Sequence, residues 1–253
     1  MLREIFSICV LSCLIFASTA VGAVAGPGDC LGLTPTVSGT DESDTLEGTD
    51  GDDVIVGLGG DDKIDGLGGN DTICGDAGID LLVGGAGDDY IDGGDGDDAD
   101  STILTVNGQP VDPTAVQGGL EGGLGNDHIV GGPGQDVLRG QDGNDTLDTG
   151  SGSEDEYAHG GAGADDITSA GGGDYLIGAA GADNISAGGG DDTLYGGSGN
   201  DVLDAGTPSS ELFGDEFVKG GGGSDTITTR AGGDNVSGNG GNDTIDAGAG
   251  ENY

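Results

Sequence analysis

The sequence predicts an all-β protein built from short repeats, and three features of its pattern support this. Aspartate recurs every nine residues along most of the 253-residue chain. An apolar residue stands two positions after nearly every periodic aspartate, and a glycine-rich stretch precedes it, as in Gly196 to Asp204. A nine-residue period is typical of parallel β-helical repeats. We therefore expect the repeat, rather than an ordinary compact core, to organise the fold.

The composition is strongly acidic. The chain has 48 Asp and Glu against 5 Lys and Arg, a formal net charge of −43, together with 61 glycines and no tryptophan. Such a charge excludes nucleic acid as a partner. Large apolar residues are too few for a thick hydrophobic interior. The chain is therefore either disordered or folded by a mechanism that answers its negative charge with cations.

Residues 1–25 have the features of a secretory signal peptide. Arg3 precedes a short apolar run, and small residues follow it as far as Ala25. The pattern predicts cleavage after Ala25, with Ala20 and Ala23 as alternatives. The apolar run is short for a bilayer span, so a membrane anchor is the less favoured interpretation. We expect a secreted, extracellular protein without a membrane span in the mature chain.

Removal of the signal leaves two cysteines, Cys30 and Cys74. In an oxidising compartment they can form a single disulfide, with two unpaired thiols as the alternative. Their spacing matches no metal motif, and no histidine lies near them in the sequence. A bridge would fix the segment at 26–38, the predicted N-terminal cap, along the side of the repeat array.

Eighteen aspartates keep the nine-residue register, in four series separated by irregular segments. The unit is Gly-Gly-x-Gly-x-Asp-x-U-x, where U is apolar. Only Asp100, two residues after Asp98, breaks the apolar series. The periodic positions are Asp44, Asp53, Asp62, Asp71, Asp80, Asp89, Asp98, Asp127, Asp136, Asp145, Asp165, Asp174, Asp183, Asp192, Asp201, Asp225, Asp234 and Asp243.

This unit resembles the calcium-binding nonapeptide of the RTX, or haemolysin-type, family over about residues 39–250. The resemblance implies a right-handed parallel β-roll, a form of β-solenoid, with two repeats per coil. In each unit the first six residues would form a turn and the last three a short strand. It also implies several Ca²⁺ ions, each held between turns two units apart, with the eighteen periodic aspartates as metal ligands. We therefore predict that the roll occupies residues 39–253.

The residue types of the unit suit calcium. Glycine permits tight turns whose carbonyl oxygens point inward, and Ca²⁺ takes six to eight oxygen ligands with tolerant geometry. The 39 aspartates greatly outnumber the 9 glutamates, which favours short carboxylates held close to the main chain. One apolar residue per unit is too little to hold the roll, so we expect the chain to be expanded without calcium and to fold cooperatively with it.

Irregular segments near residues 99–121, 149–159 and 205–219 interrupt the period. We interpret them as distorted repeats within one continuous roll, and four separate short arrays are the alternative. The ion site at Asp98 is expected to be weak or empty because a long interruption follows it. The three predicted irregular units place Asp155 with Tyr157, Asp215 with Phe217, and Asp112 to Gly118 with Ala115 or Val116 as the apolar residue.

No arrangement of residues in the sequence suggests catalysis. His128 and His159 stand next to U positions, where alternate side chains face solvent. Only residues 26–38 lie between the signal and the array, which leaves no room for a catalytic domain, so we expect that the chain is not an enzyme.

The sequence predicts a secreted calcium-binding protein that folds outside the cell and has a structural role. A calcium-dependent adhesion protein, binding a matrix or surface partner through the irregular loops, is the alternative. A calcium-binding part of an enzyme system is a further and weaker one.

Overall fold

The computed structural model describes residues 30–98, 105–106, 109–110, 119–206, 216–250 and 252–253. These residues form strands and turns and contain no helix, so none of them forms a helix that could cross a membrane. The predicted signal peptide at 1–25 lies outside the described residues. Two parallel sheets of 11 and 10 strands, called sheet 1 and sheet 2 below, make up most of the structure.

The strands alternate between the two sheets along the chain. Sheet 1 contains β1 (Val37–Ser38), β3 (Val54–Gly59), β5 (Thr72–Ala77), β7 (Tyr90–Asp95), β11 (His128–Val130), β13 (Thr146–Asp148), β15 (Asp166–Thr168), β17 (Asn184–Ser186), β19 (Val202–Asp204), β21 (Thr226–Thr228) and β24 (Thr244–Asp246). Sheet 2 contains β2 (Thr45–Thr49), β4 (Lys63–Leu67), β6 (Leu81–Ala86), β10 (Gly119–Leu124), β12 (Val137–Asp142), β14 (Tyr157–Ala162), β16 (Tyr175–Ala180), β18 (Thr193–Ser198), β20 (Phe217–Gly222) and β23 (Asn235–Gly240). Two small pairs complete the list: antiparallel β8 (Thr105–Val106) with β9 (Gln109–Pro110), and parallel β22 (Ala231–Gly232) with β25 (Ala249–Gly250).

Each coil of the roll consists of two repeats, one strand in each sheet. Ile55 pairs with Ile73, eighteen residues later, and Ile64 pairs with Leu82 in the other sheet. Both sheets run without a break from the first coil to the last. The predicted parallel β-roll is therefore confirmed, and the alternative of four separate arrays is wrong.

The core is a ladder of U side chains between the two sheets. Nineteen buried residues form one apolar cluster, and most strands of the two sheets contribute one side chain to it. Ile73, Leu82 and Ile129 are fully buried within it. Side chains alternate along a strand, so the residues on either side of U face outward. The U residue is thus the point at which each nine-residue unit is fixed in register.

Two of the irregular units are shifted by one residue from the prediction. Ala158 and Val218, not Tyr157 and Phe217, occupy the apolar place and pair with Leu138 and Leu194. Both aromatic rings belong to the outer face of sheet 2. The prediction gave the larger apolar side chain the inner position, but the narrow core takes one modest aliphatic residue per strand.

The third irregular unit was also placed wrongly. The predicted rung at 112–118 lies outside the described residues, and Leu120 pairs directly with Leu82 on one side and Leu138 on the other. Leu120 thus completes the coil that Asp98 begins. The expected Asn107-Gly108 turn is flanked by the antiparallel strands β8 and β9.

The N-terminal end of the roll is closed by a disulfide between Cys30 and Cys74, whose Cα atoms lie 5.7 Å apart. Both cysteines are buried and form a small cluster with Val56. Val37 pairs with Ile55, so the segment predicted as a cap already contributes the strand β1. The predicted disulfide is therefore present and joins the cap to the third coil of sheet 1.

Candidate metal centre

Two columns of carboxylates run along the two edges of the roll, where the chain turns from one sheet to the other. The first carboxylate ladder, in turns from sheet 1 to sheet 2, contains Asp44, Asp62, Asp80, Asp98, Asp136, Glu156, Asp174, Asp192, Glu216 and Asp234. The second carboxylate ladder, on the opposite edge, contains Asp53, Asp71, Asp89, Asp127, Asp145, Asp165, Asp183, Asp201, Asp225 and Asp243.

Hydrogen bonds to the main chain fix the carboxylates in these columns. The N–H of Asp165 donates to Oδ1 of Asp183 at 3.0 Å, and the N–H of Asp183 donates to Oδ1 of Asp201 at 3.0 Å. The same bond recurs between most neighbouring coils in both ladders. Each aspartate therefore joins its own turn to the turn one coil earlier, which is why a short side chain with two oxygens recurs there.

The second oxygen of most of these side chains is buried and accepts no hydrogen bond. In thirteen aspartates Oδ2 has no partner, and the same holds for Oε2 of Glu216. These aspartates are Asp62, Asp71, Asp80, Asp89, Asp98, Asp127, Asp136, Asp145, Asp165, Asp183, Asp192, Asp201 and Asp225. A buried carboxylate oxygen without a partner is energetically costly, and its regular recurrence indicates a ligand.

At several of these turns a main-chain carbonyl converges on the same point as the unpartnered oxygen. A Cβ atom built on Gly57 would lie 2.3 Å from Oδ2 of Asp62 and 2.7 Å from the carbonyl oxygen of Gly75. The same arrangement recurs at Gly196, where the Cβ would lie 2.4 Å from Oδ2 of Asp201 and 2.6 Å from the carbonyl oxygen of Gly220. At these turns the carboxylate fills the space that a side chain would take, so glycine fits where a larger residue would clash.

Burial raises the pKa of several of these carboxyl groups, Asp98 and Asp127 among them, when no cation lies against them. Desolvation raises the pKa of Asp98 to about 8 and of Asp127 to about 7, against an ordinary 3.8. Neighbouring carboxylates in the same ladder raise the pKa further, whereas main-chain N–H donors lower it. A cation beside the unpartnered oxygens would reverse this effect and keep the side chains ionised.

The oxygen-only surroundings fit Ca²⁺ rather than a transition metal. Within the part of the chain that the structure describes, no three Asp, Glu, His or Cys side chains converge on one point. A turn site would therefore take one or two carboxylates from the ladder and its other ligands from main-chain carbonyls. Ca²⁺ accepts such mixed oxygen shells, whereas Mg²⁺ demands a smaller and more regular one.

All eighteen predicted aspartates lie in the two ladders, so the structure brings together every residue that the period selected. Asp98 is fully buried and bonded to both neighbouring coils, which gives no ground for the expected weak site. The outward-facing acids behave differently: Asp148, for example, is exposed. His128 is exposed as well, and its ring stacks on Tyr90 at 5.2 Å.

Three ladder members were missed by the sequence analysis. Glu156 and Glu216 replace Asp155 and Asp215, and Oε2 of Glu156 accepts the N–H of Asp136 at 2.7 Å. Asn252 ends the first ladder, where its Oδ1 accepts the N–H of Asp234 at 3.2 Å. A signal for Asn252 was present, since it lies eighteen residues after Asp234.

The repeat pattern, the roll and the two carboxylate ladders agree with one protein family. The family model described as RTX calcium-binding nonapeptide repeat (4 copies) matches residues 38–73, 75–99, 121–153, 177–207 and 214–253. The chain belongs to this family. RTX nonapeptide repeats bind several Ca²⁺ ions per repeat domain, so calcium is the cation that this RTX chain takes up. No curated protein matches the chain.

Proposed function

We propose that this RTX protein is exported and folds outside the cell when calcium fills its turns, and that its role there is structural. The observation that carries the proposal is the row of buried carboxylate oxygens without a hydrogen-bond partner on both edges of the roll. Such oxygens favour an unfolded, solvated chain until a cation reaches them.

The proposed ligands are the eighteen periodic aspartates, with Glu156 and Glu216 in the same columns. Each ion would lie between two turns on one edge, one coil apart, and would be shared by two carboxylates. Sharing couples neighbouring sites, because one ion orders the turn that the next ion needs. The roll would therefore fill and fold over a narrow range of calcium concentration.

Export is supported by the sequence of residues 1–25 and by the disulfide, which suits an oxidising compartment. Low cytosolic calcium would keep the chain unfolded before export. A non-catalytic role is part of the proposal, because repeats occupy nearly all of the described residues. The loops expected to bind a partner in the alternative, at 107–112 and 207–211, lie largely outside the described residues.

Adjacent aspartates offer a matched test of the ligand set. Asp165 is buried with a free Oδ2, whereas Asp166 is exposed and accepts a hydrogen bond from Asn184. Asp165→Asn keeps Oδ1 for the main-chain bond but removes the charge. We expect Asp165→Asn to raise the calcium concentration at the folding midpoint, measured by circular dichroism, and Asp166→Asn to leave it unchanged. Equal midpoints for both variants would contradict the proposed ligands.

A further inference from the structure

The two edges of the roll are built differently, although the repeat is the same. On the second edge, glycine stands at the first turn position, two residues after U, in every described coil: Gly48, Gly66, Gly84, Gly122, Gly140, Gly160, Gly178, Gly196, Gly220 and Gly238. On the first edge glycine holds this position only as far as Gly131. Beyond it the residues are Thr149, Ser169, Ala187, Ala205, Thr229 and Ala247.

Two of these replacement residues donate a hydrogen bond to the carboxylate oxygen that a cation would contact. The hydroxyl of Ser169 donates to Oδ2 of Asp174, and that of Thr229 donates to Oδ2 of Asp234 at 2.6 Å. Both aspartates are buried, and Oδ1 of each faces a main-chain N–H one coil earlier. Both oxygens therefore already have donors, in contrast to Asp183 and Asp225 on the second edge.

The hydroxyl contacts also extend across coils. Oγ1 of Thr149 donates to Oγ of Ser169 at 3.1 Å, so a chain of hydrogen bonds joins the turn of β13 to the turn of β15 and then to Asp174. On a regular turn this connection between coils would be made through a shared ion. Here it is made by side chains of the protein alone.

An outer stack of rings accompanies most of these coils on sheet 2, from β14 to β20. Ring centres lie 5.8 Å apart between Tyr157 and Tyr175, 5.6 Å between Tyr175 and Tyr195, and 5.9 Å between Tyr195 and Phe217. Nζ of Lys219 lies 4.6 Å from the centre of the Phe217 ring. The sheet 2 strands before β14 carry no aromatic residue. Ring pairs and cation–π contacts stabilise neighbouring strands without any ion.

We propose that calcium holds the two edges unequally: the second edge takes ions at the turns from Asp71 to Asp225, whereas the first-edge turns beginning at Ser169 and Thr229 take none. Their coils are held by hydroxyl–carboxylate bonds and by the outer ring stack. This inference rests on the calcium sites of the proposed function and concerns which turns bind no ion. Two first-edge turns in the C-terminal half of the roll thus have a geometry that does not depend on calcium.

Exchanging the first turn residues between the two edges tests which turns bind an ion. In the full mature chain, Ser169→Gly should free Oδ2 of Asp174 and add one bound ion. The matched variant Gly178→Ser puts a side chain within 2.4 Å of Oδ2 of Asp183 and should remove one ion. Equilibrium dialysis with radioactive calcium counts the ions per chain at saturation. Thr229→Gly repeats the gain independently, should Gly178→Ser fail to fold.

Terbium luminescence adds a local readout, because Tb³⁺ replaces Ca²⁺ and emits when a nearby tyrosine is excited. The chain has no tryptophan, and Tyr175 directly follows Asp174. Ser169→Gly should therefore increase the tyrosine-sensitised emission. Unchanged ion counts and unchanged emission in both Ser169→Gly and Thr229→Gly would overturn the inference. A wild-type chain that binds no calcium would instead refute the proposed function.

Discussion

Removal of calcium should unfold the roll at alkaline pH, and three carboxylates show why. Without a cation, desolvation raises the pKa of Asp136 to about 6, of Asp192 to about 7 and of Asp98 to about 8, from an ordinary 3.8. At about 1.36 kcal/mol per pKa unit, ionising them in the folded roll costs about 3, 4 and 6 kcal/mol. Together this matches the whole stability of a typical domain, about 5–15 kcal/mol.

The direction of the pH effect follows from the same shifts. The pKa of each of these groups is higher in the folded chain than in the unfolded one, so the folded chain binds more protons between about pH 4 and pH 8. The stability of the calcium-free chain should therefore rise as the pH falls through this window. With calcium present, protons compete for the same oxygens, so the folded chain should bind Ca²⁺ more weakly at pH 5 than at pH 8.

The assay is far-ultraviolet circular dichroism with small-angle X-ray scattering, in excess chelator, from pH 9 to pH 5. We expect an expanded chain without β signal at pH 9 and partial recovery of both β signal and compactness toward pH 5. Calcium should restore the full signal at pH 8. A β spectrum and a compact radius that persist in chelator at pH 9 would refute the reasoning, because the buried carboxylates would then be ionised without harm.

Two further predictions concern stability. Leu67 has a φ of 75° and is 43% exposed, so Leu67→Gly should raise the free energy of unfolding by about 0.5–1 kcal/mol in calcium. Leu124→Gly, at an exposed residue without positive φ, should instead lower the free energy of unfolding. Equal effects of the two variants in urea titrations would contradict the strain argument. The Cys30–Cys74 bond spans 44 residues, so its reduction should cost about 4 kcal/mol and raise the calcium requirement of the first coils. If proteolysis in the presence of reductant spares these coils, the predicted role of the disulfide is contradicted.

The fold could be predicted from the sequence because the period carries both the core and the turns. An apolar residue every nine positions allows one ladder, and a carboxylate two residues earlier fixes its register at each turn. The prediction failed where the chain length between turns changes. Between Leu147 and Ala158 two extra residues lie in the turn, and the aromatic Tyr157 was given more weight than glycine.

A physical signal for the correct register was present in the sequence. Gly160 stands two residues after Ala158, as Gly140 stands two residues after Leu138. A Cβ on Gly160 would lie 2.2 Å from Oδ2 of Asp165, so this glycine cannot shift by one position. The size of the U residue is less strictly constrained than this glycine. On the second edge, glycine is therefore a stricter marker of register than the size of the U residue.

The same comparison explains how a highly charged chain can tolerate irregular repeats. A turn that keeps glycine leaves a carboxylate oxygen without a hydrogen-bond partner, as at Asp183, and we propose that such a turn depends on a cation. A turn that replaces glycine by serine or threonine supplies its own donor, as Ser169 does for Asp174. Extra residues before Glu156 are accommodated because the longer side chain still reaches the N–H of Asp136. Each buried carboxylate oxygen thus needs a partner, and we expect Ca²⁺ to be that partner only where the protein offers no hydrogen-bond donor.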